Sequence, residues 1–243
     1  MNRGLIGALS TSVAIALLAG CSASQPPIGV PGAMPQGRAI ANLVQPLSSV
    51  DLIYVGVVTG TDILTYPYGK FVASFSNYGA MCSNLTTGDV FLVGTDTIYQ
   101  YAHGGTQPIA TVAAPSGFSF ELSCTVEKTT GDLAAVVSKG LTSEVAVYPV
   151  GKGSPTLLSD TNMAEFDHLG YDDGGNLFAL GFGVRTSRLL TELPSGSDTF
   201  NDINVKLSGP IGGAVEWDGS YITSASFPEK SCGFRFRDRR VRS

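Results

Sequence analysis

The stretches NLTTGDVFLVG (residues 84–94) and EKTTGDLAAVVS (residues 127–138) both open an apolar run with the residues Thr-Thr-Gly-Asp. Their turn glycines, Gly88 and Gly131, lie 43 positions apart. Glycine reaches a positive φ without steric cost, and the aspartate that follows favours a turn. The doubled motif therefore marks two equivalent hairpins, each feeding an apolar strand.

The same turn signal occurs twice more, in DGGNLFALG (173–181) and WDGSYITSA (217–225), whose glycines extend the spacing by 44 residues each time. A β-rich repeat of 40 to 45 residues is typical of β-propeller blades, each a four-stranded sheet. The alternative all-β architecture, a two-sheet sandwich, does not predict this period. We therefore predict an all-β fold, a β-propeller with about four complete blades and a partial fifth.

One full period divides into four strands separated by tight turns. The predicted strands are MCSNL (81–85), VFLVG (90–94), TIYQYA (97–102) and PIATVAA (108–114). Side chains alternate along the third of these, as a sheet with two unequal faces requires. Residues 51–76 supply three strands of an earlier blade, but the sequence offers no candidate for its innermost strand.

The chain begins with a basic residue, Arg3, and an apolar stretch that ends in small residues, which is typical of an export signal. The signal ends in Leu18, Ala19, Gly20 and Cys21, which resembles the lipobox of bacterial lipoproteins. That resemblance implies cleavage before Cys21, acylation of its sulfur and amine, and a membrane anchor in the cell envelope. The polar Ser22 that follows is compatible with outer-membrane sorting. An ordinary secretory signal is the alternative.

The domain boundaries follow from composition. We assign residues 1–20 to the signal peptide, 21–40 to the lipidated cysteine and a Pro/Gly-rich tether, and 41–227 to the propeller. Residues 22–229 carry 8 Lys/Arg against 19 Asp/Glu, a net charge of −11. Such an acidic body argues against nucleic acid as a partner, because that affinity depends on neutralising phosphates.

Residues 228–243 form an aberrant basic tail, PEKSCGFRFRDRRVRS, with five arginines in the last nine residues and no strand alternation. The composition changes inside the fifth blade, which would leave preceding strands with unpaired edges. We expect the chain to be a truncated or frame-shifted version of a longer, six-bladed propeller, with this tail poorly packed.

Four segments carry a family resemblance: TIYQYAHGGTQPIATV (97–112), CTVEKTTGDLAAVV (124–137), GYDDGGNLFALG (170–181) and GGAVEWDGSYIT (212–223). They resemble blades of uncharacterised exported bacterial β-propeller proteins. These proteins are distantly similar to the NHL-repeat, strictosidine-synthase-like and gluconolactonase-like families. The resemblance covers about residues 50–227 and implies the fold; it implies no established activity.

The sequence shows no catalytic set. Its two histidines are His103, in a predicted turn, and His168, which opens the inner strand of the fourth blade. No Gly-x-Ser-x-Gly elbow or phosphate loop occurs. The acidic segment 159–173 offers oxygen ligands but fits no calcium-loop template. We therefore assign no catalytic, cofactor-binding or metal-binding residue and no cofactor.

Similarity to six-bladed lactonases would imply a divalent metal held by polar side chains of the inner strands. Here those side chains are Asn84, Glu127 and Glu216, all three or four residues before a turn glycine. This position lies at the hairpin end of the strand, away from the face where such enzymes usually work.

Cys82 and Cys124 occupy nearly the same position in neighbouring blades, six and seven residues before the turn glycine. Exported proteins keep disulfides, and inner propeller strands converge, so the two cysteines can form a bridge if their Cα atoms approach within about 7 Å. Two small buried thiols are the alternative.

These observations favour a membrane-anchored exported lipoprotein whose propeller is a binding or scaffold domain. Its expected partners are the membrane, through acylated Cys21, and a protein, glycan or small-molecule ligand. The alternative is a metal-dependent propeller enzyme of the lactonase or lyase type.

Overall fold

The computed structural model describes residues 50–185, 188–204, 211–226 and 235–236. In these ranges the chain forms antiparallel sheets and one short 3₁₀ turn, Pro149–Gly151. The strands are β1 Leu52–Val57, β2 Gly60–Thr65, β3 Phe71–Phe75, β4 Ala80–Ser83, β5 Val90–Val93, β6 Thr97–Tyr101, β7 Pro108–Ala113, β8 Ser119–Val126, β9 Leu133–Lys139, β10 Thr142–Tyr148, β11 Thr156–Leu158, β12 Met163–Tyr171, β13 Leu177–Gly183, β14 Leu189–Leu193, β15 Asn201–Ile203, β16 Ile211–Trp217, β17 Ile222–Ser226 and β18 Arg235–Phe236. No helix in this part of the chain has the length and hydrophobicity that a membrane crossing requires.

The strands group into successive sheets in which each strand pairs with the next, and these sheets are the blades of a β-propeller. Blades two, three and four comprise β4–β7, β8–β11 and β12–β15 and have four strands each. The first strands of neighbouring blades, β4, β8, β12 and β16, lie side by side. Residues of all four line one cavity, and we call the space between these strands the central channel. The predicted fold class is confirmed, as are the four strands predicted for blade two.

Two blades differ from a complete four-stranded unit in the described residues. Blade one has three strands, β1–β3, and they correspond to the three that the sequence predicted. Blade five also has three, β16–β18. Its last strand lies inside the segment interpreted as a tail without strands, and that interpretation was wrong for Arg235 and Phe236, which pair with β17. The missed strand has only two residues, too few to show alternation.

Hydrophobic side chains pack between neighbouring blades rather than within them. Strand β9 shows how, because all five residues from Leu133 to Val137 are buried. Leu133, Ala135 and Val137 pack towards blade two, while Ala134 and Val136 pack towards blade four. Both faces of the strand are buried, so its sequence is a continuous apolar run, LAAVV, instead of an alternating one. Each blade therefore depends on its neighbours for its core.

The repeated turn glycines have the backbone conformation that the sequence implied. The φ angles of Gly88, Gly131, Gly175 and Gly219 are 76°, 78°, 79° and 95°. A side chain at such a φ is strained, which explains why glycine recurs at this point of the repeat. These turns join the first and second strands of blades two to five, and we call the side of the propeller on which they lie the turn face.

Candidate ligand site at the channel mouth

Each turn on the turn face begins with a side chain that caps it. The capping residues are Asn84, Glu127, Asp172 and Asp218. Asn84 Oδ1 accepts hydrogen bonds from the backbone N–H groups of Thr86 and Thr87 at 2.9 and 3.1 Å. Asp172 and Asp218 each accept two equivalent bonds of 2.8 Å inside their own turns. The first turn position is therefore structural in all four blades.

Glu127 is the most buried of the four capping residues, with 6% of its surface exposed. Its Oε2 atom accepts hydrogen bonds from the N–H groups of Thr129, at 2.7 Å, and Thr130. Burial raises the pKa of Glu127, but the hydrogen bonds from Thr130 and Thr129 outweigh it and leave the pKa below the usual glutamate range. Glu127 is thus an ionised cap.

The structure places the three side chains that similarity to lactonases singled out at the turn end of the inner strands. Asn84 and Glu127 directly follow β4 and β8 and point into their own turns, while Glu216 lies near the end of β16 and is exposed. The side-chain oxygens of Asn84 and Glu127 therefore accept hydrogen bonds from backbone N–H groups of their own turns.

The second position of each turn faces the mouth of the central channel. The rim residues, as we call them, are Leu85, Lys128, Asp173 and Gly219, one from each of blades two to five. All four line a cavity of about 570 Å³ at the turn end of the inner strands. This volume lies in the range of small-molecule sites, about 300–1,000 Å³. Capping is common to the turns, whereas the rim residues differ from blade to blade.

Contacts between turns join neighbouring blades around this mouth. Lys128 Nζ lies 3.0 Å from Asp173 Oδ1, and Trp217 Nε1 donates a hydrogen bond of 2.9 Å to Asp173 Oδ2. The Thr86 hydroxyl donates to the backbone oxygen of Lys128 at 2.9 Å. The hydrogen bonds from Trp217 and Lys128 hold the pKa of Asp173 below its usual range. The carboxylate is therefore charged and has a partner on each oxygen.

A disulfide lies in the wall of the same cavity. Cys82 of β4 and Cys124 of β8 are bonded, with their Cα atoms 5.7 Å apart. Of the two alternatives that the sequence left open, the structure shows the bridge rather than two free thiols. It links the inner strands of blades two and three, 42 residues apart in the chain. The part of the cavity wall formed by β4 and β8 is therefore covalently cross-linked.

A second cavity, of about 410 Å³, lies between blades three and four on the turn face. It shares Tyr171 and Asp173 with the first cavity, so the two meet at these residues. Burial, with smaller contributions from the negative charges of Asp132 and Glu127, raises the pKa of the Tyr171 hydroxyl well above its usual range. Tyr171 is therefore a neutral hydrogen-bonding group at the junction.

The histidines lie outside both cavities. His103, which the sequence placed in a turn, is partly buried, and its Nε2 atom lies 2.9 Å from the backbone oxygen of Val50. A Cβ atom on Gly88 would lie 2.9 Å from His103 Nδ1, so the imidazole occupies the space beside this turn glycine. His168 lies in β12 as predicted and is half-buried; burial lowers its pKa, which the charge of Asp167 opposes. Neither histidine is among the residues that line the channel mouth.

The acidic segment 159–173 divides among separate structural roles. Asp160 accepts from the N–H of Asn162 at 2.8 Å, and Asp167 forms an ion pair with Arg188 at 2.6 Å. Asp172 is a cap and Asp173 is a rim residue. Among the described residues, no group of three His, Cys, Asp or Glu side chains is arranged to hold a metal ion.

The rim residues and Trp217 were not identified as site residues from the sequence. Aligning the repeats on their glycines places Leu85 and Lys128 at one turn position, three residues before the glycine, but it does not find Asp173, which lies two residues before its glycine, or Gly219, which is the glycine itself. When the residue type changes from blade to blade at one position of the repeat, that position is not needed for the fold and is available for another role. The lipobox residues Leu18 to Cys21 lie outside the described residues.

Comparison with known proteins supports the fold. No protein-family model and no curated protein sequence matches the chain. Several solved structures match the chain in fold. The nidogen/laminin complex matches with a TM-score of 0.59 and 12% identity, over 74% of this chain and 69% of that one. A Bacteroides caccae protein of unknown function matches with a TM-score of 0.51 and 15% identity, over 78% and 72%.

TolB from Acinetobacter baumannii matches with a TM-score of 0.51 and 11% identity, over 70% of this chain but only 43% of its own length. At these identities the similarity shows the fold alone. TolB and nidogen are β-propellers, and the chain is a β-propeller protein.

Proposed function

We propose that this protein is a lipid-anchored binding protein of the cell envelope, whose propeller binds a small polar ligand at the channel mouth on the turn face. One observation carries the site: each of four successive turns is capped by the side chain of its first residue, while the next residue, different in each turn, lines one cavity. Repeated turns of the same structure can carry different residues at their exposed positions, and together these residues form a binding surface on a rigid scaffold.

Binding is favoured over catalysis by the hydrogen bonds of two acidic groups, Asp173 at the mouth and Glu127 in the second cavity. Asp173 accepts from Lys128 and Trp217, and Glu127 accepts from two backbone N–H groups. Both have a pKa below the usual range, whereas a general acid or base works best with a pKa near the operating pH. A metal-dependent lactonase or lyase is the alternative function.

The location in the cell envelope is proposed from the sequence. The lipobox ending in Cys21 supports acylation, and two or more acyl chains hold a protein on a bilayer far more firmly than one. The Pro/Gly-rich segment 21–40 would let the propeller reach away from the membrane. The negative charge of the body supports partners other than nucleic acid.

The test uses the only tryptophan of the chain, Trp217, which is part of the site. Purified protein is titrated with neutral, cationic and anionic polar compounds while indole emission and thermal unfolding are followed. We expect at least one compound to shift both the emission and the midpoint, and Lys128→Ala to weaken the effect. The matched control is Lys152→Ala, an exposed lysine away from the mouth.

Two results would contradict the proposal. One is a panel in which no compound class changes either signal. The other is lactone hydrolysis that stops when a chelator removes a tightly bound metal, which would favour the enzyme alternative.

A further inference from the structure

We infer that the ligand of the channel mouth is a neutral oligosaccharide that places one sugar ring against the indole of Trp217. This inference rests on the proposed function and specifies its ligand. Sugar rings combine an apolar C–H face with hydroxyl groups at the edge that both donate and accept hydrogen bonds. The mouth presents a complement to each of these features.

The indole of Trp217 is held in one orientation. Its only donor, the Nε1 hydrogen, is bonded to Asp173 on the neighbouring blade at 2.9 Å. The partly buried side chain packs against the hydrophobic cluster between blades four and five and also lines the cavity, together with Leu85, which is 74% exposed. Aromatic rings fixed by a bond at one edge offer a preorganised apolar surface, which lowers the entropy cost of binding.

The charges of the rim favour a neutral ligand over an ionic one. Lys128 and Asp173 neutralise each other across 3.0 Å at the mouth. A cation would have to compete with Lys128 for the carboxylate of Asp173, which leaves Glu216 as the carboxylate at which the spermidine probe tests cation binding. An anion would have to compete with Asp173 for the ammonium group. Anions also meet the negative field of the acidic body. A neutral ligand leaves the pair intact.

Hydrogen-bonding groups remain for such a ligand. Within the described residues, no side-chain hydrogen bond occupies Ser83, Thr125 or Glu216, and all three line the cavity. The Lys128 ammonium has three donors, of which the ion pair with Asp173 uses one. The mouth therefore has two hydroxyls, a carboxylate and further ammonium hydrogens, a mixture that matches alternating donors and acceptors on a sugar.

The shape favours more than one sugar ring. The cavity at the mouth, about 570 Å³, has Tyr171 and Asp173 in common with the lining of the second cavity, about 410 Å³, so the two are neighbours on the turn face. That second cavity adds the hydroxyl-bearing side chains of Thr129, Thr130 and Ser195 to its lining. An extended ligand would follow the turn face from the channel towards the gap between blades three and four.

The test titrates the full chain with four probes: maltotriose and tri-N-acetylchitotriose as neutral oligosaccharides, spermidine as a cation and citrate as an anion. Trp217 emission and isothermal calorimetry are recorded for each. We expect at least one oligosaccharide to bind with a blue shift of the emission. Loss of a hydrogen bond to a charged group should then make Glu216→Ala weaken binding about tenfold.

Matched controls separate the site from the rest of the surface. Glu165→Ala and Lys152→Ala remove exposed charges of the same types elsewhere and should leave the affinity unchanged, while Lys128→Ala should lower it. Circular dichroism checks that each variant is folded. Trp217→Phe, followed by calorimetry alone, should lower the affinity for the same oligosaccharide.

The outcomes distinguish this inference from the function on which it rests. Binding of spermidine or citrate, with no response to either oligosaccharide, overturns the saccharide assignment and leaves ligand binding at the mouth in place. Oligosaccharide binding that Glu216→Ala, Lys128→Ala and Trp217→Phe all leave unchanged also overturns it, because the ligand then binds elsewhere. No response to any probe counts against both.

Discussion

The indole N–H of Trp217 donates a hydrogen bond of 2.9 Å to the carboxylate of Asp173, on the turn of the preceding blade. The two residues are 44 positions apart, one repeat of the propeller. Lys128, a further repeat back, bonds the other oxygen of the same carboxylate. The three side chains therefore connect blades three, four and five around one end of the channel.

The first prediction concerns the pH dependence of this contact. Hydrogen bonds from Trp217 and Lys128 lower the pKa of Asp173 below 3.8. Because the folded-state pKa is depressed, the stabilisation is complete above the unfolded value and is lost as the pH falls through the lower folded value. We expect the emission of the only tryptophan to change with a midpoint below 3.8, and Asp173→Asn to abolish that step. A midpoint at or above 3.8 contradicts the assignment.

The second prediction concerns the capping position. Glu127→Ala removes the acceptor of two backbone N–H groups and should lower the free energy of unfolding by about 2 kcal/mol, measured by urea denaturation. Glu127→Gln keeps an acceptor and should lose less. The exposed Glu165→Ala control should change it by less than about 0.5 kcal/mol. Equal losses at Glu127 and Glu165 would show that the cap is not stabilising.

The third prediction concerns the disulfide. Its cysteines are 42 residues apart, and in the chain-entropy model closing a loop of this length stabilises the fold by about 4 kcal/mol. We expect the Cys82→Ser/Cys124→Ser double variant to lose about this amount in a denaturant titration. Intact-mass analysis with thiol alkylation of the unreduced protein checks the bond itself, and alkylation at both positions would disprove it.

The fourth prediction concerns the packing of blade four against blade five. A Cβ atom on Gly170 of β12 would lie 2.3 Å from the backbone oxygen of Val215 in β16. Since the clash is with backbone, Gly170→Ala should destabilise the protein by about 2 kcal/mol. Gly56→Ala is the matched control, because its Cβ would meet no atom within 4 Å, and it should change stability by less than about 1 kcal/mol. Equal stability of the two variants would argue against this interface.

The fifth prediction concerns the proposed anchor. Cys21→Ala, expressed with the full signal in a Gram-negative host, should lose incorporation of labelled fatty acid and move from the membrane fraction to the soluble fraction. Cys232→Ala removes a cysteine outside the lipobox and should retain the label. Label in the Cys21→Ala variant would show that acylation occurs elsewhere, and no label in the unchanged protein would favour an ordinary secretory signal.

Several features of the turn face followed from the repeat. Aligning the chain on Gly88, Gly131, Gly175 and Gly219 was sufficient to predict the propeller class, and the residues between two of these turns were sufficient to predict the four strands of blade two. Those features were predictable because a positive φ at a turn and the pattern of apolar residues in a strand are local properties. The strand Arg235–Phe236 was missed because it has no local pattern of its own.

The sequence by itself determined the period of the blades, the place of each turn and the strands that a blade contains, because these depend on residues close together in the chain. Only the tertiary structure decided that the second turn residue faces the channel, that Cys82 bonds Cys124, and that Asp173 meets both Lys128 and Trp217. Each of these contacts joins residues about one repeat apart. Such a contact depends on the angle and the distance between neighbouring blades. Both are set by the packing of hydrophobic side chains between the blades.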